Sequence, residues 1–171
     1  MAYCEKYASP LGELTLMGDE GGLSGLWLRG QEPSEKAPAN SELPAFKAAK
    51  AWLDSYFAGE EPHMGQLSLK PVGSDFQREV WKLLLEIPYG QVISYGELAK
   101  KLAALENREK MSARAIGGAV GRNPISIIIP CHRVIGKNGS LTGYTGGMAN
   151  KIKLLELEGW DMNSFSIPKE R

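Results

Sequence analysis

The chain has 171 residues, 43% of them apolar, with two cysteines, two histidines and a formal charge of zero from 20 Lys and Arg against 20 Asp and Glu. That length suits one large domain or two small ones with a real core, and no run of about 18 apolar residues offers a membrane span. Two cysteines make no disulfide framework, and the N-terminus lacks the basic-then-apolar pattern of a secretory signal, so a reducing, cytoplasmic setting is expected.

The zero charge is the sum of two unequal parts. Residues 1–70 hold 6 Lys and Arg against 10 Asp and Glu, residues 71–160 hold 12 against 8, and residues 161–171 are neutral. A basic second part suits a polyanionic partner, although chance surface charge would look the same.

Tyr3 to Tyr7, Leu14 to Met17 and Leu23 to Leu28 read as strands, with Gly21-Gly22 as hairpin-turn material between the second and third. Residues 30–42 are rich in Pro, Ser, Glu and Gln and read as an exposed loop. Phe46, Ala49, Trp52, Leu53, Tyr56 and Phe57 recur at helical spacing, so an amphipathic helix is expected from Leu43 to Phe57. This first part, residues 1–70, reads as a structural sheet-plus-helix domain without clustered reactive groups. Pro62 to Gly73 reads as the hinge.

Residues 71–160 read as mainly helical. Ser74 or Asp75 caps a helix that buries Phe76, Val80, Trp81, Leu83 and Leu84 and is stopped by Pro88-Tyr89-Gly90. After a short β-like piece at Val92-Ile93, Ser94-Tyr95-Gly96-Glu97 has capping-box spacing and opens a helix to about Leu105. A second helix from Ser112 carries Arg114, Ala115, Ile116, Gly117, Gly118, Ala119 and Val120. The pair resembles a helix-turn-helix unit with a long connector at 106–111. Each glycine costs roughly 1 kcal/mol of helix propensity, which makes sense if something approaches the backbone closely; tight helix–helix packing would explain it equally well. A last helix, about 148–158, ends at Gly159, and residues 161–171 form a tail.

The most informative stretch is Ile127 to Gly136, where Cys131 and His132 stand side by side after Pro130. Most buried cysteines are inert, but imidazole and guanidinium neighbours favour thiolate, the nucleophilic form. A hydrolase dyad fits poorly, because adjacent residues in extended backbone point to opposite faces and His63 lies in the hinge. Zinc binding fails on the count of ligands at workable spacing. Phosphate-loop and dinucleotide fingerprints are absent.

Pro130-Cys131-His132-Arg133-Val134 resembles the active-site signature of the O6-alkylguanine-DNA alkyltransferases, also called methylated-DNA–protein-cysteine methyltransferases. Over residues 74–159 the chain matches that family in order. The matching pieces are Ser94-Tyr95-Gly96-Glu97-Leu98-Ala99, Ala113-Arg114-Ala115-Ile116-Gly117-Gly118-Ala119, Arg122-Asn123-Pro124, Tyr144-Thr145-Gly146-Gly147 and Glu158-Gly159. The first domain matches more loosely, through Ser9-Pro10-Leu11-Gly12-Glu13-Leu14 and Gly25-Leu26-Trp27.

The resemblance implies an α/β protein with a ribonuclease H-like sheet-plus-helix domain followed by a winged helix-turn-helix domain. It implies direct, stoichiometric repair, in which Cys131 attacks the alkyl carbon on O6 of a guanine in double-stranded DNA and keeps the alkyl group. O4-alkylthymine is a second candidate substrate. His132 would take the thiol proton through a water, with Glu158 orienting the imidazole. Tyr144 would supply a proton to the departing base, assisted by the Thr145 amide, while the Cys131 and Val134 carbonyls accept from its exocyclic amine.

A base inside a duplex must be flipped out at a cost of a few kcal/mol. The resemblance gives Arg114 the vacated space, Tyr95 the target phosphate, and Ser94, Ala115 and Gly118 further DNA contacts, with helix 112–121 in the minor groove. Asn123 would tie that helix to the active-site segment. No cofactor, metal or membrane is implied, and a monomer is expected. Two other readings are a damage-binding protein of the alkyltransferase-like type, against which the presence of Cys131 counts, and a helix-turn-helix regulator with Cys131 in its core.

Overall fold

In a computed structural model the chain is described at residues 1–65, 67–107, 111–141, 144 and 147–166, and the chain divides into two compact units. The first comprises residues 1–72 with 124–126, and the second residues 73–123 with 127–171.

In the first unit, strands β1 (Tyr3–Ser9), β2 (Gly12–Asp19) and β3 (Gly22–Trp27) form an antiparallel meander in sequence order. The β1–β2 turn is held by Ser9, whose hydroxyl donates to the Gly12 carbonyl at 2.6 Å and accepts from the Leu11 amide at 3.1 Å. The β2–β3 loop is one residue earlier than the glycine pair suggested. Asp19 pairs with Gly22, so Glu20 and Gly21 make the turn, and the Asp19 carboxylate accepts from the Gly21 amide at 2.7 Å. Gly25 is needed for close approach, because a Cβ there would lie 2.0 Å from the Trp27 ring.

Helix α1 (Pro44–Phe57) starts with Pro44, whose missing N–H costs nothing at that position. It buries Phe46, Ala49, Trp52, Leu53 and Tyr56 in one core with Leu14, Leu16, Leu23 and Leu26. The chain returns to this unit at residues 124–126, where Leu26 donates to the Pro124 carbonyl and Ser126 donates to the Leu26 carbonyl.

The second unit starts with helix α2 (Asp75–Leu85). Here the reciprocal capping box is complete, with Ser74 accepting from the Gln77 amide and the Gln77 side chain accepting from the Ser74 amide. Strand β4 (Ile93–Ser94) leads into helix α3 (Tyr95–Leu105). The box expected at its start is only half formed. Ser94 caps the Glu97 amide, but the Glu97 carboxylate takes the Ser94 hydroxyl at 3.1 Å instead of the backbone amide. Helix α4 (Ala113–Gly121) is capped by Ser112 and fixed to α2 by Trp81, whose indole donates to the Ala119 carbonyl at 2.9 Å.

The apolar run after α4 is buried but is not a strand. Ile127 has φ of 70°, a left-handed conformation that costs a β-branched residue about 1–3 kcal/mol, and its side chain is fully buried. Cys131–Arg133 then form a single 3-10 turn, so the extended Cys-His backbone expected from sequence does not occur. Strand β5 (Val134–Ile135) pairs in parallel with β4. Helix α5 (Met148–Leu157) follows and ends in a Schellman motif, with Gly159 at φ of 98° donating to Glu156 and Trp160 donating to Leu155. Gly159 therefore lies one residue past the cap, and the cap itself is Glu158. The expected order, a small sheet domain and then a helical one, is what the chain adopts.

Among the described residues, nothing packs closely on the glycines of α4. A Cβ on Gly118 or Gly121 would meet nothing within 4 Å, and one on Gly117 would only touch the Tyr95 ring at 4.0 Å. Gly118 is exposed on the helix. Gly118→Ala should therefore stabilise the protein by roughly 0.5–1 kcal/mol, read as a higher urea midpoint at unchanged slope. A loss of stability would mean that this backbone is constrained by something not seen at Gly118.

Candidate active site

Cys131 is 3% exposed and His132 is fully buried. The 3-10 turn gives the two adjacent side chains different partners. His132 Nε2 lies 2.5 Å from Glu158 Oε2. Glu158 also accepts from Arg133 twice, from Nε to Oε1 at 2.8 Å and from Nη2 to Oε2 at 3.2 Å, and from the Gly90 amide at 3.0 Å. Arg133 completes its own set by donating to the Ile87 carbonyl at 2.7 Å and lying 5.8 Å from the Tyr89 ring centroid. The guanidinium read from sequence as a thiolate stabiliser is thus committed to a carboxylate.

These contacts set the protonation states. Burial pushes the Glu158 carboxyl up, but His132 and Arg133 together outweigh it and hold it at about 2. Burial holds His132 below the ordinary imidazole range, with Glu158 opposing that effect. At neutral pH the pair is therefore carboxylate and neutral imidazole. Burial also raises the Cys131 thiol, while Asn123, Lys151 and Tyr144 each act to lower it.

The residues singled out from sequence fall into two groups. Tyr144 acts on the Cys131 sulfur, the adjacent His132 pairs with Glu158, and all four are buried. Asn123 joins them, acting on the sulfur and donating from Nδ2 to the Ile129 carbonyl at 2.8 Å. The Cys131 carbonyl accepts from the Val134 amide, and the Val134 carbonyl accepts from Lys151 Nζ at 2.7 Å. Each carbonyl has a second lone pair. Thr145 lies outside the described residues, as do residues 108–110 of the connector.

Arg114, Ala115 and Gly118 form the second group, exposed on α4, with Ser94 and Tyr95 half-buried at the start of α3. Tyr95 faces α4 at Gly117. Among the described residues no group of three or more His, Cys, Asp or Glu could hold a metal ion, and no helix is long and apolar enough to cross a membrane.

Sequence reasoning missed three contributors. Arg133 anchors Glu158, and Gly90 donates to Glu158 from a segment read only as a helix stop. Lys151 is fully buried beside the site. One signal was available: Lys151, Leu154, Leu155 and Glu158 share the inward face of α5 at spacings of 3, 4 and 7, so a cation and an anion occupy core positions.

Fold and site together define a two-part α/β protein built around one buried thiol with polar neighbours. Residues 75–160 match the DNA binding domain of 6-O-methylguanine DNA methyltransferase, and residues 2–71 match its ribonuclease-like domain. The chain is 46% identical to the methylated-DNA–protein-cysteine methyltransferase of Mycobacterium leprae, over 92% of this chain and 93% of that one. It is 42% identical to that of Haemophilus influenzae, over 91% and 86%. The solved structure of Mycobacterium tuberculosis OGT in complex with DNA superposes with a TM-score of 0.79 at 45% identity, covering 91% of this chain and 92% of that one. The chain belongs to the methylated-DNA–protein-cysteine methyltransferase family.

In the strongly acid range the loss of stability should come from Glu158. Its folded pKa is below the ordinary 4.5, so the stability it contributes is complete above pH 4.5 and is lost as pH falls through 2. The shift sets a ceiling of about 3 kcal/mol. His132, depressed below 6.5, adds a loss of the same sign as pH falls below that value. Urea unfolding from pH 6 to pH 2 should therefore show a steeper loss in the wild type than in Glu158→Gln. Parallel curves would contradict the assigned carboxylate.

Proposed function

We propose that the protein repairs DNA directly, moving an alkyl group from O6-alkylguanine in double-stranded DNA to its own Cys131, once per molecule and irreversibly. The observation that carries this reading is a buried thiol beside an imidazole whose far nitrogen is fixed by an ionised, doubly anchored carboxylate. Residues 71–160 act as the DNA-binding and transfer domain, residues 1–70 as a structural domain and 161–171 as a tail.

With Nε2 held by Glu158, His132 Nδ1 takes the Cys131 proton through a water. The thiolate attacks the alkyl carbon, the S–C bond forms as the C–O6 bond breaks, and the electron pair leaves on the guanine. Tyr144 donates the proton that neutralises the departing base, with the Thr145 amide assisting. Val134 and Cys131 present their remaining carbonyl lone pairs to the exocyclic amine. The thioether has no easy route back, so neither a turnover step nor a cofactor enters. A thiol that must stay reduced suits the cytoplasm, and a single chain supplies every group, which suits a monomer.

A buried sulfur cannot reach a stacked base, so the base is turned out from the minor-groove side. The open surface over Gly118 supports close approach of a groove to α4, and the lack of internal packing there disfavours the helix-packing explanation of its glycines. Arg114, exposed on the same helix, fills the vacated stack. Tyr95 crowds the target phosphate, while Ser94, Ala115 and Gly118 line the approach and Asn123 holds the helix to the active-site segment.

Incubation with a duplex containing O6-methylguanine should add one methyl group to the Cys131 peptide, read by mass spectrometry. DNA binding with no change of mass would overturn the transfer reading. A duplex with O4-methylthymine tests the second substrate. Arg114→Ala should slow repair of the duplex by about 10-fold or more, the scale of losing at least roughly 1.4 kcal/mol of stabilised extrusion, while leaving transfer from free O6-methylguanine base nearly unchanged. Equal losses on both substrates would argue against a flipping role.

A further inference from the structure

Lys151 is fully buried, on a helix that packs against the 3-10 turn of Cys131. A buried ammonium is costly unless an opposite charge or good acceptors meet it. One acceptor is the Val134 carbonyl at 2.7 Å. Lys151 also interacts electrostatically with Cys131, favouring ionisation of the thiol while the Cys131 charge favours protonation of the lysine, and it disfavours protonation of His132. The remaining charged and polar groups around the sulfur are otherwise arranged. Glu158 is engaged by His132 and Arg133, His132 is held neutral by burial, and Asn123 and Tyr144 contribute dipoles only.

We propose that Lys151 is a positioning residue for the nucleophile: its buried ammonium is the counter-charge against which Cys131 ionises, and it simultaneously fixes the Val134 carbonyl. This rests on Cys131 being the alkyl acceptor. Arg133 and Lys151 then divide two tasks, the first fixing the carboxylate and the second charging the sulfur side. Burial lowers Lys151 to about 8, so the ammonium is largely retained at neutral pH and lost in mild alkali. The thiol and the ammonium titrate as a coupled pair. As the lysine deprotonates, the thiolate loses its partner, so reactivity rises less steeply with pH than for an isolated thiol.

The test reads Cys131 without DNA. Full-length wild type and Lys151→Met are labelled with iodoacetamide from pH 6 to pH 10, and modification of the Cys131 peptide is followed by mass spectrometry. In Lys151→Met the profile should move upward by about one pH unit, an approximately tenfold slower reaction at pH 7. A folded variant with the wild-type profile would overturn the proposal.

If Lys151→Met does not fold, the reciprocal measurement decides. In wild type the lysine carbon resonance of Lys151 should titrate near 8, and in Cys131→Ser it should titrate lower, because the sulfur charge that raises it is gone. Identical titrations in the two proteins would reject the coupling. Methyl transfer from the O6-methylguanine duplex is measured in the same wild-type preparation. No methylation with a Lys151-dependent thiol would sink the repair reading and leave the coupling standing. Methylation with a Lys151-independent thiol would do the reverse.

Discussion

A carboxylate with no exposed side-chain surface has to be paired, and the pairing of Glu158 ties two other segments of chain to the end of α5. His132 and Arg133 reach it from the 3-10 turn, the Gly90 amide reaches it from the segment after α2, and Glu158 itself caps α5. Arg133 extends the lock by donating to Ile87. Removing one partner of such a cluster leaves an uncompensated buried charge, at a cost of about 3–5 kcal/mol. The cluster is therefore better understood as a device for fixing geometry than as a source of net stability. It determines which imidazole nitrogen is committed to the carboxylate.

The thiol presents the opposite problem. Burial protects Cys131 from casual oxidation or alkylation, yet it also raises the thiol above its ordinary value, which disfavours the nucleophilic thiolate. The Asn123 amide, the Lys151 ammonium and the Tyr144 hydroxyl oppose this rise in part, and the thiol stays raised. The two buried cations are not redundant, because Arg133 answers Glu158 and Lys151 answers the Val134 carbonyl and the sulfur. A planar guanidinium suits the two-oxygen carboxylate, and a compact ammonium suits a carbonyl next to a single charge centre.

On α4 the same economy of fit appears in reverse. Trp81 and Ser112 secure the helix from within the unit, and its inward residues Ile116, Ala119 and Val120 fill the core. Among the described residues, a Cβ on Gly118 or Gly121 would meet nothing, so no close packing there accounts for their low helix propensity. The helix is anchored by one face, while the other exposes Arg114, Ala115 and Gly118.

By itself the sequence determined the elements governed by local physics. The alternating apolar runs make β1, β2 and β3, helical periodicity makes α1 to α5, and short-range caps such as Ser94, Ser112 and Gly159 set helix ends within a residue or so. It also carried the reactive pair and the ordered motifs around it, because those depend on residue identity. Tertiary structure alone decided who partners whom. That Arg133 serves Glu158 and not the sulfur, that Gly90 is a ligand as well as a helix stop, and that a lysine sits fully buried opposite Val134 follow from segments 17 to 68 residues apart meeting in space. Even the direction of the Cys131 and His132 side chains required it, since a buried carboxylate and a tight turn overrode the extended backbone that the flanking apolar run favoured.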